Sequence, residues 1–506
     1  MIYSCVKYLN ETVSKFPNKS AIIDEKRSVT FCELQKEAYA VSNVISHNSV
    51  NKPIAVFLPK SIDCVKSFIG VLYSANFYVP LDVKSPLDRV LKVLDNLNPE
   101  IIITNSVLKN KIEKYALSQN IKILNIDEID LIDTHNKHED RINKVIDTDP
   151  IYCIYTSGST GIPKGVLLSH RSVNDFIDWV GEKYELDENT ILGNQSPFLF
   201  DVSVIDIYIC LKKAATLHII PEMLFSFPVK LLDYVIDHAI NFIIWVPSVL
   251  MSVANANALN NKNLIGIKKV LFAGEVMPNK HLNYWRRNIP DALFSNLYGP
   301  TETAVIATYY IIDRAFENDE LLPIGFPCEN IDVMILDESN KVVEDDNIGE
   351  LCVRGSALAY GYWNDKDKTD SAFVQNPLHN NYRELVYRTG DLVRRNSNNE
   401  ILYVGRKDSQ IKHMGYRIEL GEIENTVLSI SNIENACVLY NVDQKQICLF
   451  FESKSEEVDE LYIRKQMLEK LPKYMLPSKI VMLKALPLNN NGKIDRNELK
   501  NKYLSI

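Results

Sequence analysis

The stretch Tyr155–Val166, YTSGSTGIPKGV, follows the apolar run Ile151–Ile154 and concentrates glycine, hydroxyl and lysine side chains in twelve residues. Glycine lets the backbone turn with positive φ and approach an anion closely, while hydroxyls, amide N–H groups and the Lys164 ammonium supply donors and charge. It differs from the Walker pattern because Pro163 interrupts it and Lys164 leads into the apolar run Val166–Leu168. We therefore predict a phosphate-binding loop, against the alternative of a surface Gly/Ser hairpin.

The bulk composition excludes several classes of protein. The chain has 506 residues, of which 46% are hydrophobic, and a net charge of -9, so two or three domains with their own cores are expected. The acidic balance disfavours binding to nucleic acid or to anionic membranes. The nine cysteines are dispersed and contain no CxxC pair, which favours reduced thiols over disulfides or structural zinc. No run is apolar enough for membrane insertion or for a signal peptide, so we expect a cytoplasmic protein.

The first hundred residues alternate between helix-like and strand-like patterns. Apolar residues fall at helical spacing over Val6–Phe16, a strand-like run follows at Ala21–Ile23, and Thr30 with Glu33 forms a capping box before another helical pattern. The apolar run Ile54–Leu58 predicts a buried strand. This alternation predicts an α/β protein with doubly wound, mostly parallel sheets and helices on both faces.

Two later segments depart from the alternation. The acidic stretch Asp127–Asp149 is expected to be a solvated loop that leads into the strand before the phosphate loop. Beyond residue 407, strand-like runs and a helical pattern at Val458–Leu471 predict a separate small α+β domain. We therefore expect a large N-terminal domain at 1–407 and a smaller C-terminal domain at 408–506.

An aspartate stands inside an apolar stretch at Phe200–Ser203, which reads FDVS. Burying a carboxylate is costly unless a positive group or hydrogen-bond donors meet it, so Asp201 requires a partner. The alternative to a ligand-binding role is a helix cap or another bond from the side chain to the backbone.

Three further stretches combine turns with aromatic, hydroxyl or charged side chains. Asn296–Thr303, NLYGPTET, places a Gly-Pro turn after an aromatic residue and so fixes a ring, a hydroxyl and a carboxylate. Tyr387–Asp391, YRTGD, precedes Tyr403–Asp408, YVGRKD, and taken alone this pair is typical of a charged hairpin. The turn Asn489–Arg496, NNNGKIDR, carries a lysine that alone would be solvated surface.

Together and in order along nearly the whole chain, these motifs resemble the signatures of the adenylate-forming superfamily, which includes acyl-CoA synthetases, luciferases and amino-acid adenylation enzymes. The resemblance implies ATP and Mg²⁺ as cofactors, with Tyr155–Val166 on the β- and γ-phosphates. It implies that Thr301 contacts the α-phosphate and that Glu302 binds the metal. It places the catalytic lysine, which bridges the substrate carboxylate and the α-phosphate, at Lys493, and the interdomain hinge at Asp408.

The same resemblance assigns the nucleotide site. It places Tyr298 and Tyr403 on the two sides of adenine, Asp391 on the ribose hydroxyls and Arg406 on phosphate. A carboxylate suits the ribose because each oxygen can accept a hydrogen bond from a sugar hydroxyl. The nucleotide-binding residues implied are Thr156, Ser157, Gly158, Ser159, Thr160, Gly161, Lys164, Gly274, Glu275, Asn296, Tyr298, Gly299, Asp391, Tyr403 and Arg406.

Within the superfamily, the chain is most similar to amino-acid adenylation enzymes of nonribosomal peptide synthetases and to D-alanine:D-alanyl carrier protein ligases. In those enzymes the aspartate at Asp201 pairs with the substrate α-ammonium. The ligases usually have cysteine where this chain has Ala273, so D-alanine stays open as a substrate. The resemblance implies an apolar pocket, which favours a small or medium neutral amino acid. Its lining residues are Val202, Ile205, Trp245, Leu271, Ala273, Leu297, Val305 and Ile306.

The sequence thus predicts an ATP-dependent ligase that forms an aminoacyl-AMP and transfers the acyl group to the phosphopantetheine thiol of a separate carrier protein. Because no carrier segment follows Lys493, the acceptor is expected to be a separate molecule. Two alternatives stay open: an acyl- or aryl-CoA ligase that uses free coenzyme A, and a non-catalytic nucleotide-binding protein on the same fold.

Overall fold

The computed structural model describes residues 4–45, 50–130, 139–158, 163–260, 262, 266–408, 410–453, 458–487 and 494–504. The predicted site residues Ser159, Thr160, Gly161 and Lys493 lie outside this part of the chain. The chain forms two compact units. The first comprises Met1–Val83, Leu97–Ile154 and Gly165–Lys407, and the second comprises Lys84–Asn96, Tyr155–Lys164 and Asp408–Ile506.

The largest sheet of the first unit is mostly parallel. Its strands are β1 (Ser20–Ile23), β2 (Ser28–Thr30), β9 (Ile191–Asn194), β10 (Thr216–Ile219), β11 (Phe242–Trp245), β12 (Lys269–Ala273), β13 (Leu293–Tyr298), β14 (Thr308–Ile311) and β15 (Phe326–Pro327). Within the described residues, these nine strands follow the order β15-β14-β13-β12-β11-β9-β10-β1-β2. The strands β1 and β9 to β13 run parallel, so their carboxyl ends lie along one edge. That edge is where ligands bind in open α/β sheets.

A second sheet carries the predicted phosphate loop between two of its strands. It contains β3 (Pro53–Val56), β4 (Phe77–Pro80), β5 (Ile101–Thr104), β6 (Lys122–Asn125), β7 (Pro150–Thr156), β8 (Lys164–Ser169) and β18 (Gly361–Tyr362). In the described parts of the chain its order is β18-β8-β7-β4-β3-β5-β6. The strands β3 to β7 are parallel, whereas β18 runs antiparallel to β8.

An antiparallel sheet and the helices complete the first unit. The sheet contains β16 (Ile331–Leu336), β17 (Gly349–Gly355), β19 (Phe373–Gln375), β20 (Leu385–Arg395) and β21 (Ile401–Arg406). The helices are α1 (Val6–Lys15), α2 (Phe31–Val44), α3 (Ile62–Tyr73), α5 (Ser106–Ser118), α6 (Glu139–Ile142), α7 (His170–Lys183), α8 (Val202–Lys213), α9 (Pro228–Asp237), α10 (Pro247–Asn255), α11 (Asn279–Asn288) and α12 (Lys366–Ala372).

Apolar side chains of the central strands point alternately to the two faces of the largest sheet, and they form a core on each face. Ile244 and Leu271 are neighbours in register and belong to one buried cluster, while Ile243 and Phe272 belong to another. Successive side chains of a strand point to opposite faces, so each strand contributes to both cores. The predicted α/β fold with mostly parallel, doubly wound sheets is confirmed.

Local sequence signals place several helix starts correctly. The Thr30 hydroxyl accepts a hydrogen bond from the Glu33 amide, and the Glu33 carboxylate accepts one from the Thr30 amide, which is the predicted capping box at the start of α2. Ser169 caps α7, where its side chain accepts a hydrogen bond from the Ser172 amide. The expected loop Asp127–Asp149 is wrong in one respect, because the short helix α6 lies inside it.

The second unit is α+β. Its strands are β22 (Gln410–His413), β23 (Tyr416–Glu419), β24 (Ile433–Asn441), β25 (Gln446–Ser453) and β26 (Lys479–Met482), and its helices are α4 (Leu87–Leu97), α13 (Leu420–Leu428), α14 (Glu460–Leu468) and α15 (Arg496–Tyr503). Ile423, Val438 and Leu449 lie in its buried core. The last segment of this unit begins at Asp408, and the segments 84–96 and 155–164 group with it, whereas the predicted second domain contained 408–506 alone. Within the unit, Arg89 pairs with Glu422.

We predict that Gly70→Ala destabilises the first unit. A Cβ atom at Gly70 of α3 would lie 2.6 Å from Val41 Cβ and 2.9 Å from the Ala38 carbonyl oxygen on α2. Overpacking of this kind costs about 1–3 kcal/mol, against a gain of about 1 kcal/mol in helix propensity. Urea unfolding should show a lower midpoint. The matched control is Gly266→Ala, where a Cβ would meet nothing within 4 Å; equal midpoints for the two variants would contradict the prediction.

Candidate active site

Four of the predicted nucleotide-binding residues come together beside β20 and β21. The Asp391 carboxylate accepts a hydrogen bond from the Tyr298 hydroxyl through Oδ2 and pairs with Arg406 through Oδ1, 2.9 Å from Arg406 Nη1. Asp391 lies opposite Arg406 in the β20–β21 register. Tyr403 packs against the same buried cluster that contains Tyr298. Residues far apart in sequence therefore form one cluster with two aromatic rings, a carboxylate and a guanidinium.

The hydrogen bond between Tyr298 and Asp391 has a defined direction. Burial, together with the neighbouring Asp391 carboxylate, raises the pKa of Tyr298 well above its usual value. The phenol consequently stays protonated and donates. The strand ahead of Asp391 is held by Glu350, whose carboxylate accepts hydrogen bonds from the Gly390 amide and from Arg388. Gly390 has φ +71, which explains the glycine at this position inside β20, where the register with β17 shifts.

The predicted turn after β13 is tightly packed. A Cβ atom at Gly299 would lie 2.4 Å from the Val305 carbonyl oxygen, so only glycine fits. A short 3-10 turn, Thr301–Thr303, follows, and Val305 then has φ +79. The Ile306 amide donates to the Ala304 carbonyl, 3.1 Å away. Positive φ with this bond is the rare, strained form of the γ-turn, which is costly for a β-branched residue.

Glu302, the predicted metal ligand, is completely buried in this turn. Its Oε1 accepts a hydrogen bond of 2.8 Å from the Tyr362 hydroxyl. The described residues contain no group of three or more His, Cys, Asp or Glu side chains placed to hold a metal ion. A single hard carboxylate nevertheless fits Mg²⁺, because this ion is usually held by one or two carboxylates together with substrate phosphates.

The described part of the phosphate loop presents hydroxyl groups. The Thr156 hydroxyl is buried and has no hydrogen-bond partner among the described residues. The Ser157 hydroxyl donates to the Arg417 carbonyl, 2.7 Å away, within the second unit. Lys164 is the first residue of β8, directly after the loop. Thr156, Ser157, Gly158 and Lys164 therefore stay predicted phosphate-site residues.

Three other predicted nucleotide-site residues are held by the backbone around them. Asn296 Nδ2 donates to the Pro323 carbonyl, 2.8 Å away. Glu275 Oε2 accepts a hydrogen bond of 2.8 Å from the Ser248 amide, and Gly274 before it has φ +92. The polar groups of Asn296 and Glu275 thus have structural partners, and their contacts with a nucleotide stay predictions.

Asp201 occupies the N-cap position of α8 but does not act as a cap. Its side chain makes no capping hydrogen bond, and it is only 9% exposed. Of the alternatives that the sequence left open, helix capping is therefore excluded. A helix N-terminus favours a negative charge, so this position suits an ionised carboxylate.

Seven of the eight predicted pocket residues lie in or against one apolar cluster, and Trp245 does not. Ala273 and Leu297 are neighbours in register at the carboxyl ends of β12 and β13. Trp245 pairs in register with Phe272 and belongs with it to the cluster on the opposite face of the sheet. Its indole N–H donates to the Gly193 carbonyl, 2.9 Å away. Trp245 is therefore placed as a core residue. The other seven are Val202, Ile205, Leu271, Ala273, Leu297, Val305 and Ile306.

A second buried carboxylate on α8, which the sequence prediction missed, braces the segment before Asp201. Asp206 Oδ2 accepts a hydrogen bond of 2.7 Å from Asn194 Nδ2, while Asp206 Oδ1 has no partner among the described residues. Lys60 Nζ donates to the carbonyls of Asn194 and Gln195. Burial raises the pKa of Asp206 to about 7, although the Asn194 hydrogen bond and the Lys60 charge lower it in part. The burial argument applied to Asp201 would have identified it.

None of the helices in the described residues combines the length and the apolar character needed to cross a bilayer. The family described as AMP-binding enzyme matches residues 9–363, and the AMP-binding enzyme C-terminal domain matches residues 422–493. The chain belongs to the AMP-binding enzyme family, and it is an adenylate-forming, AMP-forming ligase.

Individual relatives refine this placement. Tyrocidine synthase 1 from Brevibacillus parabrevis is 31% identical over 97% of this chain, and the chain spans 44% of that protein's length. The Vibrio cholerae adenylation domain AlmE, in complex with glycyl-adenosine-5'-phosphate, has a TM-score of 0.85 at 21% identity, covering 98% of this chain and 97% of AlmE. Holo-PA1221, a protein with adenylation and PCP domains, has a TM-score of 0.83 at 21% identity, with coverage of 99% and 84%. At these identities the structural matches establish the fold alone.

We predict that Asp206 makes the folded state less stable as the pH rises from about 4 to 7. The folded pKa of about 7 exceeds the ordinary value of 3.8, so the folded protein binds this proton more tightly than the unfolded chain does between those values. Relative to Asp206→Asn, the wild type should lose up to about 1.4 kcal/mol of unfolding free energy per pH unit. Urea unfolding of both proteins measures the difference, and parallel pH profiles would mean that Asp206 is ionised in the folded protein.

Proposed function

We propose that this ligase activates an amino acid. The observation that carries the proposal is the buried Asp201 carboxylate, which stands at the head of α8 without a capping bond, next to apolar residues. A buried carboxylate at this position is suited to a primary ammonium group. The names of tyrocidine synthase 1 and of the glycyl-adenosine-5'-phosphate complex agree with this substrate class.

In the first half-reaction a carboxylate oxygen of the amino acid attacks the α-phosphorus of ATP. The bond from that phosphorus to the bridging oxygen breaks, which gives aminoacyl-AMP and pyrophosphate. Bound Mg²⁺ would neutralise phosphate charge, with Glu302 as its protein ligand. Asp391, Tyr298, Tyr403 and Arg406 would orient the nucleotide, so catalysis rests on positioning and electrostatics rather than on a protein nucleophile.

In the second half-reaction the thiol of a phosphopantetheine group takes the acyl group and AMP leaves. We infer a carrier protein as the acceptor, supported by PA1221, which combines adenylation and PCP domains.

Lys493 is proposed to stabilise charge on the α-phosphate in the first step, and Asp408 to be the hinge between the steps. The proposed site of action is the cytoplasm, in keeping with free thiols at all nine cysteines.

The seven grouped pocket residues support a small or medium neutral amino acid. Among them, Ala273 carries the smallest side chain, and it stands at the end of β12 beside Leu297. A charged side chain would lie unpaired among these residues and would be rejected. Since Trp245 belongs to the cluster on the opposite face of the sheet, we expect the other seven residues to set the size of the pocket.

We predict a strong response to one small neutral amino acid in pyrophosphate–ATP exchange. The panel should contain the proteinogenic amino acids, D-alanine and carboxylic acids without an amino group. Asp201→Asn should lower kcat/KM for the amino acid by about 100-fold or more, since about 3 kcal/mol is typical when one partner of a buried charge pair is lost. The affinity for ATP should be unchanged. Exchange with acids that lack an amino group would instead indicate an acyl-CoA ligase.

We also predict that Ala273, and not Trp245, governs substrate size. Ala273→Leu should raise KM for the amino acid about tenfold or more, because one or more misplaced methylenes in an apolar pocket are worth about 1–3 kcal/mol. Trp245→Phe should leave the substrate profile unchanged and lower stability by about 1–2 kcal/mol, since the Gly193 carbonyl loses its donor. A changed substrate profile in Trp245→Phe would contradict the prediction and show that this residue contributes to the pocket.

A further inference from the structure

Glu302 has a buried partner that neither the sequence prediction nor the family matches assign. Its carboxylate is fully buried, and the Tyr362 hydroxyl, on a residue that is itself 8% exposed, donates to Oε1 at 2.8 Å. An ionised carboxylate without water needs such a donor. The two residues are 60 positions apart in sequence, so the contact is made by the fold.

The stretch Ala359–Trp363 is built to hold this contact. At one end, the Ala359 amide donates to the Glu302 backbone carbonyl, 2.9 Å away. At the other end, the Trp363 amide donates to the Gly165 carbonyl at 2.7 Å, and Gly361 lies opposite Leu167 in the β18–β8 register. The stretch therefore links Glu302 to the strand that leaves the predicted phosphate loop.

The conformation of Tyr362 is fixed from several sides. Its amide donates to Thr369 Oγ1 at 2.9 Å, and its ring packs edge-on against Phe373 at a centroid distance of 5.9 Å. The preceding Gly361 has φ +126, and a Cβ atom there would lie 2.3 Å from Thr369 Cγ2. Only glycine allows this close approach, so the backbone before Tyr362 has little freedom.

We propose that Tyr362 is the positioning residue for Glu302: it holds the carboxylate in the orientation that a bound divalent cation requires. A phenol that donates to one carboxylate oxygen fixes the side-chain rotamer and keeps the charge available to a cation. Outer partners of metal-binding carboxylates act in this way, and their loss typically weakens metal binding about 10–100-fold. The inference rests on the proposed role of Glu302 as the metal ligand.

The test measures metal affinity directly. Mn²⁺ is titrated into the full chain in the presence of α,β-methylene-ATP, and bound Mn²⁺ is followed by electron paramagnetic resonance. Tyr362→Phe keeps the ring and removes the donor, and it should weaken Mn²⁺ binding about 10-fold or more. Its affinity for AMP without metal should stay unchanged, and in the exchange assay a higher concentration of Mg²⁺ should restore kcat.

Two further variants separate the alternatives. Tyr360→Phe is the matched control, because the Tyr360 hydroxyl donates to the Thr148 carbonyl rather than to Glu302; it should bind Mn²⁺ like the wild type. Glu302→Gln should lose Mn²⁺ binding. If Glu302→Gln loses it while Tyr362→Phe binds Mn²⁺ normally, the positioning role is overturned and the metal role stands. If Glu302→Gln binds Mn²⁺ normally, the proposed metal role is overturned and the positioning role with it.

Discussion

A carboxylate withdrawn from water must be met by a donor, a cation or a proton, and this constraint shapes the site of the first unit. Asp391 accepts a hydrogen bond from the Tyr298 phenol and pairs with the Arg406 guanidinium. Glu302 accepts a hydrogen bond from the Tyr362 phenol. Asp206 accepts one from the Asn194 amide, and burial raises its pKa. Each solution requires a partner from a different element. The sheets and turns of this unit therefore act mainly by bringing such partners together.

The site also requires that its side chains are placed precisely, and the ends of the strands provide this placement. The strand β13 ends at Tyr298, and the chain then passes through Gly299, the buried Glu302 and the strained γ-turn at Val305 before it returns as β14. The Ala307 amide closes this connection between the two strands by donating a hydrogen bond of 2.7 Å to the Tyr298 carbonyl. Strain of this kind persists only where the surrounding structure fixes it. Here the antiparallel strands β13 and β14, which flank the turn, fix its conformation.

The parts of the fold that depend on local chemistry could be predicted from the sequence. The capping box at Thr30 and the cap at Ser169 depend on residues within one turn, and the alternation of strands and helices gave the α/β class. The face on which Trp245 lies depends instead on strand register, which changes the face with every residue. Tyr362 could not be identified at all, since its partner is 60 residues away and a tyrosine in an apolar stretch is usually a core residue.

The two aspartates of α8 show how one helix can hold carboxylates of different character. Asp201 stands at the N-terminus, where the helix dipole favours negative charge, whereas Asp206 lies in the second turn, fully buried, with its pKa raised to about 7. Burial raises the pKa of Asp206, and the hydrogen bond from Asn194 fixes its side chain. A neutral Asp206 is also less costly to bury than an ionised one. Asp201 thus stands at the head of α8, while Asp206 braces the segment before it through Asn194.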